Sequence, residues 1–504
     1  MQIGFVAMLS SVLGKTHRAL VFACFFLIWC SRGEAQDVIW SNNYGGTYNE
    51  QGYSGYKLTD GGYVILGATY SFGHGDHDIY LLRLDSLGHI LWTESYGGSA
   101  ADYGYDIQQT SDNGFIIVGL TQSYGSGEGD VYLIKVDATG TVLWTRTYGG
   151  VARDEGWSVR QTADGGYILA GTTNSFGAGY GDVYLIKTNS SGTAQWSRTY
   201  GGAGGESGSA VRPTPDGGYV TVGSTGSFGD GYSCVYVVKT DGAGDSVWAT
   251  TYGGFRADFG YSVEIAPDGG FVFVGASSSF GHGYTDVYLV KTDPDGFVEW
   301  EQFYGGSMDD RGYAVQPAGD GGYILAGTTE SFGSGKIDCY AIRTNPLGEP
   351  IWTNTYGGAE SDFCRSVVIE EDAFCLIGYS FTYTSGGSDV YILKAQGEQM
   401  TPVEEPDDHT LPADFNLAQN YPNPFNPATT IEFSLPRRSP VRLTIYNILG
   451  QRVREWFFES APPGTSSISW NSRDDYGNTV ASGVYLYRLE TENTSQTKKM
   501  ILLK

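Results

Sequence analysis

Short apolar runs alternate with polar positions along most of the chain, and glycine-bearing turns close them. One stretch shows the pattern: Thr141 to Arg146 reads T-V-L-W-T-R, Tyr167 to Thr172 reads Y-I-L-A-G-T, and Asp182 to Lys187 reads D-V-Y-L-I-K. Such runs predict β-strands, with a further one near Gly156 to Thr162. Asp164-Gly165-Gly166 and Ser191-Gly192 fall between runs and predict hairpin turns, because glycine supplies the left-handed backbone that these turns need. The unit therefore holds four short antiparallel strands.

The unit recurs with a fixed step. Trp40, Trp92, Trp144, Trp196, Trp248, Trp300 and Trp352 stand 52 residues apart, each opening the pattern W-x-x-x-Y-G-G, and Tyr44 and its copies up to Tyr356 keep the same step. A four-stranded repeat of this length is a propeller blade, so the predicted fold is all-β, a seven-bladed β-propeller. The strand around Trp40 is the fourth of its kind, although it comes first. The last copy supplies only strands one to three, near Phe363, Phe374 and Asp389 to Lys394, and Glu404 stands where an eighth tryptophan would fall. The N-terminal strand is thus expected to complete the seventh blade, which removes the edges an open array would expose.

Composition changes at both ends. Residues 1–35 read as a secretory signal: Lys15, His17 and Arg18 precede the apolar run Ala19 to Cys30, and Gly33-Glu34-Ala35 suits cleavage after Ala35. That run is too short to span a bilayer as a helix, and the mature chain offers no other transmembrane span. The expected propeller occupies 36–395. Residues 396–411 form an acidic, proline-containing linker. In 412–504 the runs Val441 to Tyr446, Ser467 to Trp470 and Gly483 to Leu489 predict a small Ig-like β-sandwich.

Charge narrows the partners. Without the signal the chain has 27 basic and 55 acidic residues, a net of −28, whereas 412–504 has ten basic and eight acidic. An acidic body repels phosphate backbones, so nucleic acid is excluded as an expected partner. Cations, basic proteins and neutral glycans remain. The mature cysteines, Cys234, Cys339, Cys364 and Cys375, occupy four different repeat positions, and their spacing fixes no disulfide pairing.

Two acids recur in the repeat. Glu50, Asp102, Asp154, Glu206, Asp258, Asp310 and Asp362 stand ten residues after each tryptophan; Asp78, Asp130, Asp182, Asp286, Asp338 and Asp389 head the third strand, with Cys234 replacing the acid once. Strand direction puts both sets on one face. They read either as a cation-binding surface, with calcium the candidate ion and Asp76, Asp78, Asp130 and Asp182 the candidate ligands, or as caps of turn N–H groups that lock neighbouring blades. Presence in every copy favours capping, since a binding site needs few copies. Arg83, Lys135, Lys187, Lys239, Lys291, Arg343 and Lys394 recur at the far end of the third strand and are expected to solvate the opposite rim.

Three residues beyond the first acid stand Tyr53, Tyr105, Trp157, Ser209, Tyr261, Tyr313 and Arg365. The first strand of a blade lines the propeller channel, so Tyr53, Tyr105, Trp157, Tyr261, Tyr313 and Arg365 are candidate ligand contacts able to stack on sugars, with packing between blades as the alternative. Ser209, Cys234 and Arg365 break the symmetry. No catalytic residue is assigned: the mature histidines, His74, His77, His89, His282 and His409, do not recur around the ring, and no G-x-S-x-G, H-E-x-x-H or P-loop pattern occurs.

The repeat core D-G-G-Y-I/V-x-x-G-x-T-x-S-F-G, followed by D-V-Y-L-x-K-T-D and W-x-x-x-Y-G-G, resembles seven-bladed β-propeller repeats of exported bacterial proteins over 36–394. The tail is similar to type IX secretion C-terminal sorting domains and FlgD-like Ig modules. The opening Asn420, Tyr421, Pro422, Asn423, Pro424, Phe425, Asn426 and Pro427 carries this resemblance, and Ile445-Tyr446-Asn447, Gly450, Gly483 and Lys499-Met500 continue it. The resemblance implies recognition by outer-membrane secretion machinery and an extracytoplasmic location, secreted or at the cell surface. The expected function is a non-catalytic binding module with a glycan or protein ligand. The alternatives are a polysaccharide-active enzyme and a structural or adhesive surface component. Long insertions usually accompany active sites on propellers, and the invariant step leaves no room for one.

Overall fold

The computed structural model describes residues 38–384, 386–397, 415–425, 429–437, 439–461, 464–470, 472–474, 479–491 and 494–503. The expected signal 1–35 and nearly all of the expected linker 396–411 lie outside the described residues. Every regular element described is a β-strand. Among the described residues no helix is long and apolar enough to cross a membrane.

Seven four-stranded antiparallel sheets account for the repeats, an arrangement consistent with a propeller. In one of them Asp154–Gln161, Tyr167–Thr173, Asp182–Thr188 and Ala194–Tyr200 lie side by side in chain order. The second and third strands are buried along nearly their whole length, so they read as continuous apolar runs. The fourth strand is largely exposed. Gly165, at φ 77°, makes the hairpin turn between the first two strands, and the Thr162 N–H donates to the Gly166 carbonyl across it at 2.9 Å. A β-bulge shifts the register between Gly156 and Ser158 and leaves Trp157 as the extra residue. Bulges of this kind re-aim a side chain, and the same shift recurs in each repeat sheet, at the position of Tyr53, Tyr105, Ser209, Tyr261, Tyr313 and Arg365.

The sheet that holds the chain's first strand also holds its last repeat strands. Val38–Tyr44 pairs antiparallel with Asp389–Gln396, Trp40 opposite Lys394 and Tyr44 opposite Val390, beside Ala373–Ser380 and Asp362–Ile369. Glu50–Lys57, the first strand of the next sheet, packs against Asp362–Ile369 and Ala373–Ser380. A polar cluster joins the two sheets. Glu370 accepts hydrogen bonds from Lys57 Nζ at 2.7 Å, from Lys394 Nζ at 3.0 Å and from the Tyr63 hydroxyl. Burial alone would raise its carboxyl, but these donors outweigh burial and hold it down at about 2.

The recurrent basic residues do not solvate a rim. Arg83, Lys135, Lys187, Lys239, Lys291 and Arg343 are buried. Each reaches the aspartate of the preceding hairpin turn (D-G-G, or D-N-G at Asp112), as Lys187 reaches Asp164 at 2.8 Å, and Lys187 also reaches the Thr188 carbonyl at 2.8 Å. Their place at the far end of the third strand suggested solvent; the pairing with the turn aspartate, 23 residues earlier, turns them inward. Lys394 is the exception and joins Glu370 instead.

The tail has its own core. Asn416–Leu417, Thr429–Leu435 and Gly464–Trp470 form one sheet; Arg452–Ala461, Ser439–Asn447, Gly483–Thr491 and Ser495–Leu502 form another. Phe425, Phe433, Trp470, Tyr487 and Met500 are buried within one apolar cluster to which both sheets contribute.

Replacing Glu370 with alanine leaves Lys57 and Lys394 without their shared counter-ion at the junction of first and last sheets. Chemical denaturation should show a loss of about 2–4 kcal/mol relative to the parent chain.

Candidate functional site

Consecutive sheets meet at W-x-x-x-Y-G-G, and each residue of that pattern has a physical task there. Tyr148 donates its hydroxyl to the Gly192 carbonyl in the hairpin turn of the following sheet at 2.5 Å, and Tyr96 does the same to Gly140 at 2.6 Å. Tyr44, Tyr200, Tyr252 and Tyr304 make the equivalent bond to Gly88, Gly244, Gly296 and Gly348. Trp144 lies against the same turn: a Cβ on Gly192 would come within 2.6 Å of its ring. The Tyr356 hydroxyl has no partner among the described residues, because the last repeat lacks a turn between third and fourth strands.

The two sets of acids converge on the first glycine of each Tyr-Gly-Gly. A Cβ on Gly149 would lie 2.0 Å from Asp130 Oδ1 and 2.6 Å from Asp154 Oδ2, so only glycine fits between these carboxyls. Asp154 Oδ2 accepts the Gly150 N–H at 2.8 Å and the Ser175 hydroxyl at 2.6 Å, and its Oδ1 accepts the Thr173 hydroxyl. It thereby ties the loop entering its sheet to the loop leaving the sheet's second strand. Of the candidate cation ligands, Asp78 Oδ2 accepts the N–H groups of His74 and Gly75 at 2.8 and 2.9 Å. Asp130 and Asp182 accept those of Ser126 and Ala178 at 2.7 and 2.8 Å, and Asp76 is exposed on the first loop. Among the described residues, no three His, Cys, Asp or Glu side chains gather in a way that could hold a metal ion. Cys234 is buried where the acid is missing, and there the atoms nearest a Cβ on Gly253 belong to Asp258.

The bulge residues pack on one another. Tyr53 and Tyr105 meet edge to face at 5.5 Å between ring centroids, Tyr105 stacks on Trp157 at 4.1 Å, and Tyr261 meets Tyr313 at 5.1 Å. The Arg365 guanidinium lies 4.1 Å from the centre of the Tyr313 ring, and its Nη2 donates to the Tyr379 hydroxyl at 3.3 Å. Burial pushes the Tyr53 and Tyr105 phenols well above their usual range. Ser209 contributes no ring to this series.

A second aromatic group escaped the sequence reading. Tyr180, Tyr232 and Tyr284 protrude from the loops between second and third strands of three consecutive sheets, 88%, 89% and 68% exposed. The equivalent positions hold Asp76, Glu128 and Lys336 elsewhere. The signal was present as a departure from the repeat, but their lack of packing partners is a tertiary fact. Backbone bridges Gly181 to Gly205, Ser233 to Ala257 and Thr285 to Asp309 link each of these loops to the next sheet's entry loop.

In the tail motif, Asn420 is buried and donates Nδ2–H to the Thr429 hydroxyl oxygen at 2.8 Å and to the Pro422 carbonyl at 3.1 Å. Asn423 Oδ1 accepts the Ile501 N–H at 2.9 Å, and Phe425 bridges Leu502 from within the core. Tyr421 and Pro422 to Pro424 thus cross the end of the final strand, with the Tyr421 ring exposed. Gly450, at φ 74°, closes the turn after Asn447, and Gly483 opens a strand. Asn426 and Pro427 lie outside the described residues.

Residues 419–503 match the secretion system C-terminal sorting domain family. That domain marks the chain as an exported, cell-surface protein. Among curated proteins, the chain is 27% identical over 136 residues to the regulatory protein FlaEY of Caulobacter vibrioides, a match covering 24% of this chain and 14% of that protein. Among solved structures it is similar to PorZ, described as an essential bacterial surface component of the type-IX secretion system of Porphyromonas gingivalis. The match has 13% identity and a TM-score of 0.42, covering 92% of this chain and 60% of PorZ. It is also similar to the Neurospora crassa Pan2 WD40 domain, at 10% identity and a TM-score of 0.43 over 72% of this chain and 95% of that one. Solved structures at this level of likeness include enzymes and non-enzymes, and these scores carry no inference about activity.

Gly149→Ala drives a methyl group into two buried carboxyls. The variant should lose about 1–3 kcal/mol in thermal or chemical denaturation, whereas Gly165→Ala, at a turn where a Cβ meets nothing, should lose about 1 kcal/mol through backbone strain alone.

Proposed function

We propose that this chain is an exported seven-bladed β-propeller, closed by its N-terminal strand, that binds a neutral glycan at the cell surface without cleaving it. In this reading residues 1–35 are a signal removed on export, 36–395 the propeller, 396–411 the linker and 412–504 an Ig-like sorting domain read by outer-membrane type IX machinery. The observation that carries the binding role is the row of unpacked tyrosines, Tyr180, Tyr232 and Tyr284, on three consecutive loops. A tyrosine offers a flat apolar ring, a hydroxyl for hydrogen bonding and little conformational entropy to lose, which suits a sugar face. Equivalent positions on successive repeats suit a polymer with repeating units. The acidic chain disfavours anionic polymers and leaves neutral ones.

The mutual packing of Tyr53, Tyr105, Trp157, Tyr261, Tyr313 and Arg365 supports a structural part for that series, with the loop tyrosines as the ligand contacts. The N–H bonds already made by Asp78, Asp130 and Asp182 support capping rather than calcium binding at those loops.

Neutral and anionic polysaccharides presented to the mature chain test this reading. Binding to a neutral polymer is expected, and Tyr180→Ala, Tyr232→Ala and Tyr284→Ala combined should weaken it at least about tenfold with an unchanged melting temperature. Release of shortened oligosaccharides would establish catalysis and overturn the non-catalytic reading. Truncation after residue 411 should leave the chain periplasmic in a type IX-competent host; surface delivery without the tail would overturn the export route.

A further inference from the structure

Buried carboxyl oxygens with no hydrogen-bond partner occur at four sheet junctions among the described residues; besides Oδ1 of Asp102, Asp310 and Asp362, they are Oδ1 of Asp286, of Asp338 and of Asp389. The last three residues are 1%, 1% and 8% exposed. The other oxygen of Asp286 is occupied by the N–H groups of His282 and Gly283, and that of Asp338 by those of Ser334 and Gly335. The unpartnered oxygens turn onto the first glycine of Tyr-Gly-Gly. A Cβ there would lie 2.2 Å from Asp286 Oδ1 at Gly305, 2.1 Å from Asp338 Oδ1 at Gly357 and 1.9 Å from Asp389 Oδ1 at Gly45. The same three positions lie 2.7, 2.6 and 2.6 Å from a carboxyl oxygen of Asp310, Asp362 and Glu50. Each unpartnered oxygen therefore faces a second buried carboxyl across one glycine. Two buried like charges so placed are strongly unfavourable unless a cation or a proton intervenes.

We propose that each of these pairs, Asp286 with Asp310, Asp338 with Asp362 and Asp389 with Glu50, binds one proton, held on the unpartnered oxygen and shared across the sheet junction. The natural exception favours a proton over a metal ion. In the fourth repeat the place of Asp286 is taken by Cys234, a buried residue that supplies sulfur in place of a carboxyl oxygen. A hard cation selects oxygen ligands and would lose one there, whereas a protonated carboxyl and a thiol are both neutral and carry a hydrogen. Burial pushes Asp286 and Asp338 upward against the pull of their loop N–H bonds, with a smaller push from the facing acid, and burial followed by the facing Glu50 pushes Asp389 up to about 6. The groups around the pairs are neutral in this range: Tyr340 beside Asp310 and Asp286, Tyr391 and Cys339 beside Asp362, and Tyr80 beside Glu50 and Asp389. His282 is the base that bears on Asp286.

The sign follows from linkage. A carboxyl raised in the folded state binds its proton more tightly there, so its contribution is full below the unfolded value of about 3.9. It is lost as pH rises through the folded value, about 6 for Asp389. Asp164, Asp216 and Glu370, held at about 2, act in the opposite sense, but their contribution is lost only in stronger acid. Between pH 5 and 8 the three pairs should make the main contribution to the slope, with Asp182 and Glu330, also raised by burial, in the same sense and His77, lowered by burial, against it.

Thermal unfolding of the mature chain between pH 5 and 8, beside the triple variant Asp286→Asn, Asp338→Asn and Asp389→Asn, tests the proposal. The parent chain should melt about 5 °C higher at pH 5 than at pH 8, and the variant, neutral at all three places, should lose at least half of that difference. A flat or rising parent profile, or a variant that keeps the full slope, would overturn it. So would calcium that raises the parent's melting temperature at pH 8 and leaves the variant's unchanged, which would assign a cation instead. Should the variant not fold, the infrared C=O band of a protonated carboxyl in the parent chain at pH 6 decides the matter: its presence is expected and its absence counts against the proposal.

Discussion

The packing of one glycine between two carboxyls, repeated where consecutive sheets meet, constrains the rest of this protein. A Cβ at Gly97, Gly149, Gly201 or Gly357 would collide with acids from both neighbouring sheets, so the sheets approach only through glycine. Around that contact the tryptophan and tyrosine of the same pattern clamp the following sheet's hairpin turn, the tyrosine through its hydroxyl and the tryptophan through its ring. Each tyrosine bond is worth about 1 kcal/mol net, and each aromatic ring adds the burial of its face. The repeated pattern thus describes interfaces between sheets more than it describes the sheets. It also explains why the acids recur in nearly every copy: they supply acceptors for loop N–H groups that would otherwise be left unpaired close to the interior.

The junction between the last and first sheets is built differently. Its backbone pairing joins Val38–Tyr44 to Asp389–Gln396, and the added polar cluster of Lys57, Tyr63, Glu370 and Lys394 lies beside it. Elsewhere the equivalent basic residue is satisfied within its own sheet by a D-G-G turn aspartate. At this one place the acid of that turn, Glu370, also accepts Lys57 and Tyr63 from the neighbouring sheet, so an interaction that is local in the other repeats also ties distant parts of the chain together.

Function follows a different logic from stability. The repeated residues are consumed by capping and clamping, and the bulge series Tyr53, Tyr105, Trp157, Tyr261 and Tyr313 is largely occupied with its own packing. What remains unpaired is unevenly distributed: among the described residues it includes tyrosines on three loops and carboxyl oxygens at four junctions. The sorting domain is separate again, with its asparagines and prolines tied to the final strand of its own core.

The strand count, the turn positions, the pairing of the N-terminal strand with the last repeat and the nature of the tail were all legible in the sequence. Each rests on local periodicity or on a motif contiguous in the chain, such as Trp40 to Gly46 or Asn420 to Phe425. Tertiary structure alone decided which side chains are spent. Lys187 and its equivalents look solvent-facing from their place at the end of the third strand, yet they are buried because an aspartate 23 residues away completes them. Asp286 and Asp310 are two acids in a periodic list until the fold sets them across one glycine, and Tyr180 is one tyrosine among 37 until its loop leaves it without a neighbour. Local patterns fix the backbone because hydrogen bonding and turn geometry act over a few residues. Burial and charge depend on what the rest of the chain brings alongside.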